Sequence, residues 1–138
     1  MNTQYNINEI KSIPNAQLKK LQEYGINTAD ALLNAGRTPA DRRSLAKAVG
    51  LQKNNLFKWV NYADQARIEG LAPELTGLLE EVGITTIMDL RGRSPFSLHT
   101  KLVDTNRLCH IVDEVPDMLK VVDIVNNAKS MEPAVAYK

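Results

Sequence analysis

Apolar residues recur along this chain at the spacing of an α-helix, and glycines break the pattern at regular places. Leu18, Leu21 and Tyr24 lead into Gly25. Leu75, Leu78, Leu79 and Val82 lead into Gly83. Each stripe predicts an amphipathic helix stopped by a glycine with positive φ, and the isoleucine that follows is placed to fold back onto the helix it has left. A short helix comes next in each case. One starts at Asn27 or Thr28, carries Leu32 and Leu33 and closes at Gly36. The other starts at Thr85, carries Ile87 and Leu90 and closes at Gly92. Asn15, Thr38 and Ser94 are N-cap candidates. Pro39, Pro73 and Pro95 suit first helical turns, and Asp41 is expected to complete a capping box with Thr38. Two longer stripes follow: Leu56, Trp59, Val60 and Ala63, then Met118, Val121, Val122, Val125 and Ala128. No segment reads as a strand, so the expected fold class is all-α.

The pattern occurs twice. Ile10–Leu33 and Ile68–Arg91 are related by a constant offset of 58, with seven identities: Ile10/Ile68, Leu21/Leu79, Glu23/Glu81, Gly25/Gly83, Ile26/Ile84, Thr28/Thr86 and Leu32/Leu90. These are apolar anchors and helix punctuation, which a duplicated fold must keep. The echo returns at Val60-Asn61 and Val125-Asn126, where the offset is 65, so a connection in the second copy is longer. The predicted organisation is a first helical unit over 1–66, a second over 67–130, and a flexible tail over 131–138. The two units are expected to form one compact domain, with Ile26, Leu32, Ile84 and Leu90 near a common pseudo-twofold core joined by the 56–66 helix. Trp59 is assigned to the core, and Tyr62, off the stripe, to the surface.

At 138 residues and 43% hydrophobic content, the chain suits one ordinary domain or two very small ones sharing a core. A net charge of +1 gives no global attraction to nucleic acid or to an anionic membrane. The average hides a split. Residues 1–66 hold nine Lys and Arg against five Asp and Glu, a balance of +4; residues 67–138 hold eight against eleven, a balance of −3. Opposite signs attract the halves to each other, or one chain to another. No apolar run is long enough to span a membrane, and the single cysteine, Cys109, precludes an internal disulfide; a cytoplasmic setting is expected.

The segment "IEGLAPELTGLLEEVGITTIMDL" resembles a helix-hairpin-helix motif. The whole repeat, with "GITT", "RTP" and "RSP" and the "WVNYAD" helix, resembles an uncharacterised bacterial family of tandem helix-hairpin-helix proteins, the DUF4332 type, from about Ile7 to Ala128. The resemblance implies duplicated units of the SAM or helix-hairpin-helix kind, with hairpins at Ser12-Ile13-Pro14 and Gly70-Leu71-Ala72. A DNA-binding hairpin of this class sets two glycines around an apolar residue, so that backbone N–H groups face a phosphate. Here the first hairpin has no glycine, and Pro14 has no N–H. The second keeps Gly70 but has Ala72, Pro73 and then Glu74, whose charge repels phosphate.

Catalytic chemistry is not expected. Cys109 and His110 are adjacent, and on a helix they diverge by about 100°; Cys109 reads as a small buried filler and His99 as a surface residue. Two histidines and one cysteine lack zinc-ligand spacing. Asp113, Glu114 and Asp117 around Pro116 lack the spacing of a calcium loop. No cofactor or metal is predicted. What remains is a non-enzymatic helical adaptor or structural module acting through protein contacts or self-association. Weak DNA binding through degenerate hairpins is the alternative. Lys19, Lys20, Arg42, Arg43, Lys47 and Gly70 are the candidate contacts on the basic side, and Asp113, Glu114 and Asp117 the candidate acidic partner face.

Overall fold

The computed structural model describes residues 5–138; the first four residues of the expected first unit lie outside the described residues. A 3₁₀ turn at Ile7–Glu9 precedes eight helices: α1 (Asn15–Glu23), α2 (Ala29–Ala35), α3 (Pro39–Val49), α4 (Lys53–Gln65), α5 (Leu75–Glu81), α6 (Ile87–Arg91), α7 (Pro95–Cys109) and α8 (Met118–Lys129). The fold is all-α, and its packing repeats. α2 and α3 pack on α4, as α6 and α7 pack on α8.

The punctuation shared by the two copies is structural. At Gly25 (φ 93°) and Gly83 (φ 89°) the chain turns through the left-handed region. The Ile26 N–H donates to Leu21 O at 2.9 Å and the Gly25 N–H to Gln22 O at 3.0 Å; Ile84 to Leu79 and Gly83 to Glu80 repeat both distances. This is a Schellman cap, and its apolar contact is supplied by the buried pairs Ile26–Leu21 and Ile84–Leu79. Thr28 and Thr86 are N-caps, their side chains accepting from the N–H groups of Ala31 and Asp89. The box predicted at Thr38 is half present: Thr38 accepts from the Asp41 N–H, while the complete boxes are Thr86–Asp89 and Asn6–Glu9. Asn15 is the first helical residue after an N-cap at Pro14, and Pro73 lies in the turn before α5.

Gly36 needs no special φ, and its constraint is space. A Cβ there would lie 2.5 Å from Val60 Cγ2, and Val60 is fully buried on α4. Gly36→Ala is expected to cost about 1–3 kcal/mol by overpacking, read from the midpoint shift in a urea melt.

The core is divided. Ile26 and Leu32 belong to one apolar cluster built on α1–α4, and Ile84 and Leu90 to a second built on α5–α8. The expected common core is therefore two cores meeting along α4, which also touches α6. Trp59 is buried as predicted. Tyr62, expected at the surface, is fully buried. Burial is the main cause that raises its pKa, and the nearby charges of Glu80 and Glu81 push the same way. Lys58 meets Glu80 at 3.1 Å, a link between the halves.

Residues 131–138 form no helix or strand, yet they are fastened. The segment leaves α8 and crosses the first unit as a strap. Arg67 Nη2 donates to Glu132 O at 2.9 Å, and the Ala134 N–H donates to the Asp64 carboxylate at 3.1 and 3.2 Å. The Ala136 N–H donates to Arg37 O at 2.8 Å. Val135 fills a place in the first core, and the Tyr137 ring meets Phe57 edge-on at 6.2 Å. The sequence expectation of a flexible tail misses this packing, because one apolar plug has no period to reveal it.

Asp64 anchors the strap from a fully buried position, paired with Arg67 at 2.7 Å. Desolvation is the largest influence on it and raises its pKa above the ordinary 3.8; Arg67 and the N–H groups of Ala134 and Val135 oppose the shift. A carboxyl raised in the folded state holds its proton more tightly folded than unfolded. Stability from this group is therefore present at low pH and lost as pH rises from 3.8 through the raised value. Urea melts of the wild type and Asp64→Asn across that window should show the stability difference moving toward the asparagine variant as pH rises. Movement the other way would show that Arg67 and the strap outweigh burial.

Candidate interaction surface

The basic candidates separate into a surface set and a structural residue. Lys19 and Lys20 are exposed on α1, and Arg43 and Lys47 are exposed on α3. Lys20 Nζ reaches Gly50 O, the residue just past α3, at 3.4 Å, which draws the ends of α1 and α3 together. Between them lies a shallow groove lined by Lys20, Glu23, Tyr24, Ala48 and Val49, with Tyr24 55% exposed.

Arg42 does not belong to this face. It is 3% exposed, and its guanidinium donates to Gly36 O at 2.9 Å and to Ala136 O at 2.7 Å while stacking 4.8 Å from the centre of the Phe57 ring. The sequence expectation of a nucleic-acid or partner contact at Arg42 is corrected: its charge is spent inside the fold on backbone carbonyls. Sequence spacing placed it with Arg43 and Lys47, but it falls on the inward side of α3 with Leu45 and Ala46.

The two turns expected to be hairpins are built alike. Ile13 and Leu71 are buried, and their N–H groups donate to Ile10 O and Ile68 O at 3.1 Å each. Gly70 is exposed with φ 91°, and it faces α8, where Ile124 and Lys120 lie nearest to its absent Cβ. Asn127 Nδ2 on α8 donates to Glu69 O at 2.9 Å and fixes that turn. A cleft of about 390 Å³ opens beside the hairpin, with carboxylates from Glu74, Glu114 and Asp117 on its rim and Leu75, Val112 and Val115 among its apolar walls. The first hairpin lies beside another cleft that brings Lys11 and Ser12 to Glu74, Glu80 and Glu81. Both turns therefore border carboxylates that outnumber the lysine lining each cleft, Lys120 and Lys11.

The acidic candidates sit together in the α7–α8 connection. Asp113, Glu114 and Asp117 are exposed, and Asp117 also caps α8, accepting from the Lys120 N–H at 2.9 Å. The connection is held from below by the buried Asn106. Its Oδ1 accepts from the N–H groups of Ile111 and Val112, and its Nδ2 donates to Val112 O. That grip holds His110 at φ 47°, where the first copy has Gly50 at φ 73°. α7 has 15 residues where α3 has 11, so its last turn runs past the core. Cys109 is exposed there rather than buried as filler, and His99 is half-buried. Around the acidic turn, Leu108 is 87%, Leu119 77% and Ile111 37% exposed. The sequence pattern does not single out these three; Leu119 lies off the stripe of Met118, Val121, Val122, Val125 and Ala128.

Among the described residues no group of three or more His, Cys, Asp or Glu side chains is placed to hold a metal ion, and no helix is long and apolar enough to cross a membrane. No curated protein and no solved structure matches the chain. A family model does, over residues 11–131: the chain belongs to the family described as a domain of unknown function, DUF4332.

Proposed function

We propose that this chain is a non-enzymatic helical adaptor, formed from two degenerate helix-hairpin-helix units, that works by contact with other proteins. The observation carrying this reading is the set of large apolar side chains left in water around the acidic turn: Leu108, Ile111 and Leu119. Single exposed leucines are ordinary on a protein surface. Three within twelve residues, bordered by carboxylates, fit an interface with an apolar centre and a polar rim. Affinity purification of the chain from its native host, with nuclease treatment, tests the reading. Protein partners retained after nuclease support it. Recovery of nucleic acid alone, lost on charge reversal at Arg43 and Lys47, overturns it.

A second reading, weak duplex binding, has the repeated hairpin turn and the exposed Gly70 in its favour. Phosphate neutralisation supplies most affinity for DNA, and here Glu74, Glu114 and Asp117 stand beside Gly70. Fluorescence anisotropy with a 20-mer duplex at physiological salt is expected to give a Kd weaker than about 1 µM. A tighter, steeply salt-dependent complex would establish the second reading.

A further inference from the structure

We propose that the partner includes a second copy of this chain, bound head to tail: the basic face of α1 and α3 receives the acidic α7–α8 connection of the next copy. This rests on the protein-contact reading and names one occupant for the surface. Charge complementarity is the first argument. Lys19, Arg43 and Lys47 lie on the positive first unit, and Asp113, Glu114 and Asp117 on the negative second. Among the described residues no ion pair joins the two sets within a chain; the pairs present are Lys58–Glu80, Arg67–Asp64, Arg91–Glu132, Arg107–Asp104 and His110–Asp113. Apolar surface is the second. The turn carries Leu108 and Leu119 into solvent, with Ile111 partly exposed beside them, and the groove between α1 and α3 holds Tyr24, Ala48 and Val49 with Lys20 and Glu23 on its walls. Burial of these side chains would supply affinity, and the charges would set orientation and encounter rate.

The third argument comes from the repeat. Ile111 lies against Gly77 of α5, its Cγ2 3.5 Å from where a Cβ would stand. At the offset of 58, Gly77 corresponds to Lys19 on α1. The second unit already takes this connection in cis at that helix position. In the first unit the same position holds an exposed cation, suited to the carboxylates beside Ile111. Because the two patches differ, the contact is heterologous and propagates into rings or open chains rather than stopping at a dimer.

Sedimentation velocity of the full chain from about 10 µM to 1 mM, the range of weak association, at low and high salt, tests this. The wild type is expected to associate with rising concentration and to dissociate as salt screens the charges. Lys19→Glu/Lys47→Glu and Asp113→Lys/Glu114→Lys change only exposed side chains, and circular dichroism melts confirm their folding. Each alone is expected to stay monomeric, and mixing them is expected to restore association, because each altered face then meets its complement. A wild type monomeric at every concentration overturns the proposal, as does association that survives both charge reversals. If the wild type is monomeric while the affinity experiment retains other proteins, the adaptor reading stands and self-association falls. If neither occurs, both fall.

Discussion

Arg42→Ala is expected to destabilise the protein by about 3 kcal/mol, because it removes a buried donor from the buried Gly36 carbonyl and the part-buried Ala136 carbonyl. Arg42 lies between Gly36 O and Ala136 O, and its ring contact with Phe57 adds a favourable cation–π term. Burial is the larger influence on its pKa and lowers it, against the opposing pull of Asp41, so the site holds a partly desolvated cation with no buried carboxylate to pair with. The alanine variant loses the donors and the strap together. Lysine should recover only part of the loss, since one ammonium cannot reproduce the forked geometry that reaches both carbonyls. Urea melts measure the cost, and amide exchange at Ala136 reports the strap. The neighbouring Arg43→Ala, on the exposed side of α3, is expected to fall within about 0.5 kcal/mol of wild type. Equal effects at the two positions would mean that Arg42 is not the strap's anchor.

Ile84→Ala is expected to cost about 2–4 kcal/mol, the usual range for truncating a fully buried isoleucine. The position does two jobs. Its N–H closes the Schellman cap on Leu79 O, which any residue can do; its side chain packs on Leu79 in the second core, which alanine cannot. Denaturant melts should therefore show a lower midpoint with an unchanged helical signal at low urea. A loss below about 0.5 kcal/mol would place the side chain outside the core. Met88→Ala, on the half-exposed side of α6, is the matched control.

The positions that succeed as sequence signals are those with local causes. A glycine after an apolar stripe and a threonine before another act within one turn, so Gly25, Gly83 and Thr28 are legible directly, while the start expected at Thr85 falls one residue later, at Thr86. The α4 stripe, Leu56, Trp59, Val60 and Ala63, is legible because burial follows the helical period. Tyr62 breaks that inference because α4 is central: the first unit's helices cover one side and the second unit covers another, so residues off the main stripe are buried too. Cys109 fails for the opposite reason, since an extra turn of α7 carries it beyond the core. At the candidate surface, Lys19, Lys20, Arg43, Lys47 and the acidic turn are exposed as their chemistry predicts, whereas Arg42 shows no local sign of its role. Its acceptor at Ala136 is 94 residues away, and periodicity carries no information at that distance.

The strap also sets an order of events for a chain being synthesised. All the helices of the first unit have emerged once Gln65 is made, but Val135, which completes their core, comes seventy residues later. Until then the slot around Phe57 is open and Arg42 lacks its Ala136 acceptor. The second unit, whose buried core residues all lie within 68–128, with Met131 packed against them, has almost no such wait. The half of the protein made first is thus finished last, and the nascent chain must carry an incomplete amino-terminal half through the whole synthesis of the other.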